Sequence, residues 1–344
     1  MNLSRISIST TIASLFFFIS STSFAQHREI LDSIVQTLSK ESIYKDKLDK
    51  AKYLKQLDTL NVQDFEGAVG PFVMQIFSDI GDQHGLFQMG WATFVGEQNE
   101  SAKEKLELQK YAYNEHFAFR SAVISGKYGY VAIPSPQIPT KSFSAQEQAV
   151  KYISQMAQQI QDTLCAARSQ SEGGLILDLR LSMGGNMPLL LNSIAPILGD
   201  GKLFDAVWGN GTESKYELID GQLFEDNVAL GKTKCKCNFD GVKVAVLLSP
   251  LTASASSQTA IALKGLPNVR FFGEDTDPQS SNITKTLMFK NGPIVTFAGG
   301  LVRDRLGVMY ESSVSPDQII KGGDNFESLK DDAKIKATLE WFAE

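Results

Sequence analysis

The sequence predicts an α/β fold with a helical amino-terminal region, and three observations carry that expectation. Two continuous apolar runs, "GGLILDLR" (173–180) and "VKVAVLLSP" (242–250), read as strands buried on both faces. Each run leads through a turn of small residues into a helix-like stretch, the alternation that builds a largely parallel sheet. Residues 26 to about 118, by contrast, show helical periodicity.

Taken in order, the first 25 residues come before any fold argument. "MNLSRISISTTIASLFFFISSTSFA" has one charge, Arg5, then an apolar centre and small residues before Gln26. That is the pattern of a secretory signal peptide cut after Ala25. Ser and Thr interrupt the apolar run, which falls short of the roughly 20 residues needed to span a bilayer, so no permanent membrane anchor is expected. The exported chain would be periplasmic or secreted.

From Arg28 to Ile80, Ile30, Leu31, Ile34, Val35 and Leu38 recur at helical steps, and a further helix is expected over Val69–Ile80 with Pro71 near its start. Residues 95–118 are charged and helix-compatible. After residue 118 the character changes, so 26–118 reads as a helical region and 119–344 as the α/β domain. "GYVAIPSP" (129–136) is a strand stopped by prolines. "SAQEQAVKYISQMAQQIQDTLCAARSQ" is an amphipathic helix with Ser144 as its cap. "PLLLNSIAPILG" follows the Gly184–Gly185 turn as a helix, and "NVRFFGE", "TLMFKN" and "PIVTFAGGLV" add strands.

Composition narrows the partners. The net charge is −6, with both signs mixed along the chain, which argues against a nucleic-acid surface. Three cysteines (Cys165, Cys235, Cys237) allow one disulfide in an oxidising compartment, without the sequence choosing the pair. No cofactor or metal is expected: one CxC supplies too few ligands, no His lies near it, and the glycine turn lacks the GK[ST] ending of a phosphate loop.

Two strand-to-helix junctions could carry chemistry, because ligands meet the carboxyl ends of strands in open α/β sheets. At one, Gly184 and Gly185 let backbone amides approach a bound group; taken alone, a plain tight turn explains them better. At the other, "LTASASSQTA" (251–260) places Ser254 at a helix start with the Ala255 amide beside it. Close helix–sheet packing would also demand such small residues. A serine there needs a base, and only three histidines exist: His27, His84 and His116. His84, in the short polar turn "GDQHGLF", is the better placed; His116 lies within an aromatic pattern. Asn99, Asn210 and Asn282 head N-x-S/T sequons.

The ordered series "DQH", "GYVAIPS", "LILDLRLSMGG", "TASAS", "FFGEDT" and "DRLGVMYESSVSPD" resembles the tail-specific, or carboxyl-terminal-processing, serine peptidase family. It is most similar to the branch without a PDZ module, which holds the nisin-resistance peptidases and relatives of the tricorn core peptidase. The resemblance implies a crotonase/ClpP-like α/β core with a mainly parallel sheet, and a peptide or protein substrate cleaved near its carboxyl-terminal tail. It assigns Ser254 as nucleophile with Ser256 as fallback, His84 as general base, and Ala255 with Gly184 or Gly185 as oxyanion donors. Glu311 matches a carboxylate that supports the base. The chain departs from the pattern in two places: Gln279 stands where many members have a lysine base, and Ser257 where the motif usually continues to a glutamate. A histidine base implies activity rising through about pH 6–7. The alternative is a non-catalytic hydrophobic-ligand or peptide-binding protein on the same fold.

Overall fold

The computed structural model describes residues 24–344 apart from 91, 96–102, 116–117, 134, 137–145, 235–236, 279–281 and 291. Most of the expected signal segment, together with Asn99, His116, Ser144, Cys235 and Gln279, therefore lies outside the described residues.

Helix α1 (Phe24–Glu41) buries Ile30, Leu31, Ile34, Val35 and Leu38, the stripe read from the sequence. Helix α2 (Lys50–Gln56) starts where the Asp49 side chain accepts from Lys52 N. Helix α3 (Gly70–Ile80), with Pro71 in its first turn, closes on Gly81 in the left-handed conformation. A hairpin follows, β1 (Leu86–Met89) and β2 (Ala92–Val95), and then α4 (Lys103–Asn114). The chain continues through β3 (Arg120–Ile124), β4 (Tyr128–Ala132), α5 (Gln146–Ser169), β5 (Leu175–Asp178), α6 (Met187–Ser193) and α7 (Ala195–Leu198). Four antiparallel strands come next: β6 (Gly201–Trp208), β7 (Glu213–Ile219), β8 (Gln222–Glu225) and β9 (Val228–Lys232). The last part holds β10 (Val244–Leu248), α8 (Ala255–Leu263), β11 (Val269–Gly273), β12 (Ile283–Met288), β13 (Ile294–Asp304), β14 (Met309–Tyr310), β15 (Gln318–Ile319) and α9 (Ala333–Ala343).

Among the described residues the strands form two sheets. The smaller runs β15-β11-β10-β5-β4-β3 and is parallel except at its β3–β4 edge. Its strands β5 and β10 alternate between two cores. Leu175, Leu177, Val246 and Leu248 face the core shared with α5, α6, α8 and the second sheet, while Ile176, Ala245 and Leu247 face α9 through Ile335 and Phe342. Burial on both faces is why these runs are apolar without a break.

The larger sheet, β2-β1-β13-β6-β7-β8-β9 with β12 and β14 also on β13, is antiparallel throughout. The fold is therefore mixed α/β, and the expected mainly parallel crotonase/ClpP-like sheet describes only its smaller half. The cause is a set of hairpins in residues 201–232. One turns at Asp220–Gly221, both with positive φ (51° and 68°), as a tight hairpin turn requires.

The amino-terminal region is helical as expected, but it also donates β1 and β2 to the larger sheet. Val295 and Phe297 of β13 complete the core of α1, α2 and α3. This pairing sets the turn at residues 82–85 beside β13, where the Asp82 side chain accepts Ala298 N.

Candidate active site

The carboxyl ends of the adjacent, central parallel strands β5 and β10 release two loops, 179–186 and 249–254, at one end of the sheet. Four hydrogen bonds stitch these loops and the start of α8 together. Ser249 Oγ donates to Arg180 O at 2.6 Å, Thr252 Oγ1 to Leu179 O at 2.9 Å, and Ala253 N to Ser182 O at 3.0 Å. The fourth joins the buried hydroxyls of Ser182 and Ser256, 2.6 Å apart. The Arg180 side chain is fully buried and holds Asp178, Asp324 and Asp332, while its guanidinium sits 4.6 Å from the Phe326 ring centroid. Such a cluster is costly to break once its charges have left water, so the backbone leading to the glycine turn is firmly held.

Ser254 caps α8 with φ 50° and ψ −126°, a strained conformation for a residue with a side chain, and its hydroxyl makes no capping bond. The neighbouring serines are spoken for. Ser256 and Ser257 are fully buried, the first on Ser182 and the second donating to Thr252 O at 3.3 Å, whereas Ser254 is only half-buried. Gly184 lies against it: a Cβ built there would stand 2.6 Å from Ser254 Cβ and 3.1 Å from Ala255 N. Gly185 turns instead toward Pro136 O. Close packing and an accessible serine coexist here, because every residue of α8 is buried while its cap is not.

His84 sits in the turn between α3 and β1, and that turn is built by Asp82. The buried Asp82 carboxylate accepts His84 N at 3.0 Å and Ala298 N of β13 at 2.8 Å. Burial pushes its pKa up to about 6, against the opposing effect of these backbone donors. The half-buried imidazole pairs with the Asn282 side chain and lies near the Asp277 carboxylate; its Nδ1 has no partner. Burial pulls the His84 pKa below the usual imidazole value, with Asp277 and Asn282 pulling it back up. The acid limb expected at pH 6–7 is accordingly displaced downward.

The route from His84 to the serine is short. Asn282 O accepts Gln258 Nε2 at 2.7 Å, and Gln258 N donates to Ser254 O at 3.0 Å. The structure thus brings His84 to the helix that Ser254 caps, but among the described residues no hydrogen bond joins the two side chains. Glu311 is not brought to this group. It is exposed just after β14, and the carboxylate near His84 is Asp277.

Asp277, Asn282, Ser182 and Arg180 are the residues that sequence reasoning missed. Asn282 stood out only as a sequon head, and its 5% exposure sets it inside the protein instead. Nothing local marks Asp277, which comes to His84 through tertiary packing. Among the described residues no cluster of three His, Cys, Asp or Glu side chains could hold a metal ion. Cys165 and Cys237 form a disulfide between α5 and the loop after β9.

Comparison with known proteins agrees with the sequence pattern. The model of peptidase family S41 matches residues 127–320. A nisin-resistance protein of Lactococcus lactis subsp. lactis is 31% identical over 147 residues, covering 42% of this chain and 45% of that protein. The chain thus aligns with less than half the length of that relative. Among solved structures, a lipoprotein from Streptococcus agalactiae superposes with a TM-score of 0.65 at 20% identity, over 92% of this chain and 96% of that one. A candidate peptidase from Parabacteroides merdae superposes with a TM-score of 0.56 at 14% identity, over 92% and 97%. At these identities the two structures speak for the fold.

Proposed function

Because the chain belongs to peptidase family S41, we propose that it is an exported serine peptidase in which Ser254 is the nucleophile and His84 the general base. One observation carries this reading: of the three serines in the small-residue motif, Ser254 alone is not buried, and it stands at a strained helix cap against Gly184. A strained cap at a strand-to-helix turn holds a hydroxyl clear of its own helix.

In the proposed reaction His84 takes the Ser254 proton on Nδ1, while Asn282 holds the imidazole from its other side. The alkoxide attacks a peptide carbonyl. The Ala255 amide and that of Gly184, the glycine that lies against Ser254, receive the oxyanion. Collapse of the tetrahedral intermediate releases the amine, protonated by His84, and leaves an acyl-enzyme. Water activated by the same histidine then frees the serine. The His84–Ser254 hydrogen bond would form when substrate fills the site, since catalytic hydrogen bonds often tighten only in the complex.

Peptide or protein substrates follow from the family, and cleavage near a carboxyl-terminal tail from the resemblance to its tail-specific members. Export is supported by the Cys165–Cys237 disulfide, since such bonds persist in oxidising compartments, and by the leader-like first 25 residues. The lack of a Ser254–His84 hydrogen bond among the described residues favours one second reading, a peptide-binding protein on the same fold. Hydrolysis of a fluorogenic peptide library separates the two. Turnover that vanishes in Ser254→Ala and His84→Ala supports the peptidase, whereas tight binding without turnover by the wild type supports the binding protein.

A further inference from the structure

Asp277 connects the surroundings of Ser254 to those of His84. Its backbone N–H donates to Thr252 O at 2.9 Å, tying it to the loop two residues ahead of the serine. Its carboxylate is largely buried, lies near His84, and forms an ion pair with Lys105 of α4. Helix α4 rests on both catalytic loops, with Leu108 and Ala112 packed among Leu251, Leu181 and Met183. Lys105 therefore reaches Asp277 from an element that already touches the nucleophile loop and the glycine turn.

We propose that Asp277 is the positioning residue of His84, and that Lys105 sets how much of the Asp277 charge the imidazole feels. The proposal deepens the Ser254–His84 reading and rests on it. A carboxylate beside an imidazole favours the imidazolium that forms as the serine proton is taken, and a lysine on that carboxylate cancels part of its field. In the structure Lys105 is bound to Asp277, and burial outweighs the Asp277 charge, which holds His84 toward its neutral form. That is the state a base needs before attack. Drawing Lys105 away would strengthen the support from Asp277 once the proton has moved.

Other groups also face the imidazole. Asp82 accepts the His84 backbone N–H, Asn282 pairs with the ring, and Tyr44 lies beside both Asp82 and Asn282. Burial, with the Asp82 charge adding to it, raises the Tyr44 pKa and keeps the phenol neutral. Asp82 itself titrates near 6, so an activity profile alone would mix its titration with that of His84.

The test reads the imidazole directly. The chain has three histidines, so ¹³C-histidine labelling gives a spectrum in which His84→Gln assigns one ring. Asp277→Asn is expected to lower the His84 midpoint by about 0.5 pH or more, and Lys105→Met to raise it by a similar amount. Lys105→Arg should keep the wild-type value, and Lys105→Met should have no effect once Asp277 is Asn. An unchanged midpoint in Asp277→Asn, or a Lys105→Met shift that survives without Asp277, overturns the proposal. Should Asp277→Asn fail to fold, the partly exposed Lys105 carries the test, and a midpoint unmoved by Lys105→Met decides against it. An unreactive Ser254 would sink the peptidase reading without moving any of these midpoints, so the two failures remain distinct.

Discussion

Gly184 and Ser254 are so closely apposed that a methyl group on the glycine would stand 2.6 Å from the serine Cβ. No side chain fits there, and the glycine φ of 99° disfavours one independently. Gly184→Ala should therefore lower the reactivity of the serine by about 10²-fold or more, the scale of losing one oxyanion donor. Gly185→Ala, whose φ of 126° carries a comparable backbone strain without the contact to Ser254, is the control. Its Cβ would meet Pro136 O at 3.3 Å and point away from the serine. Equal losses in the two variants, measured as second-order rates of active-site labelling, would remove Gly184 from the proposed hole.

Asp82 makes stability depend on pH. Its folded-state pKa of about 6 exceeds the ordinary value of 3.8, so its contribution is fully present below about pH 4 and lost as pH rises through 6. The loss is about 3 kcal/mol. Asp82→Asn does not titrate, so its stability relative to wild type should improve by roughly that amount between pH 4 and 7. Urea unfolding at several pH values checks this, and a constant difference across the range would contradict it.

Arg180 holds three carboxylates at the end of β5, two of them buried. Removing one member of such a cluster strands the others, so Arg180→Met should destabilise the protein by about 3–5 kcal/mol. Arg180→Lys should recover little of this, because a single ammonium cannot reproduce the guanidinium fork. Chemical denaturation midpoints measure both variants.

The Cys165–Cys237 disulfide spans 72 residues. A loop of that size is worth about 4 kcal/mol by chain entropy, so Cys237→Ser should lose stability on that scale. Reductant should lower the midpoint of the wild type and leave the variant unmoved.

What the sequence reveals follows from where each signal lives. The α1 stripe and the strands β5 and β10 were legible because burial dictates their periodicity along the chain itself. The β6–β9 meander leaves a weaker mark: "SKYELI" alternates and Asp220–Gly221 suits a hairpin, but "KLFDAVW" has no period-two pattern, its residues 203–206 being buried together. At the site, Ser254, His84 and the glycine turn announce themselves by local motif. Asp277 and Asn282 reach His84 from distant positions in the chain, and only packing brings them there. Glu311 shows the converse: a motif match that the fold leaves in solvent.

The central claim is that Ser254 is an activated nucleophile. Wild-type protein treated with a fluorophosphonate should gain one covalent adduct, and peptide mapping should place it on Ser254. Ser254→Ala should gain none, and His84→Ala should react at least about 10²-fold more slowly, the scale of losing a general base. A folded wild-type protein that stays unmodified, or carries its adduct on another serine, would contradict the account.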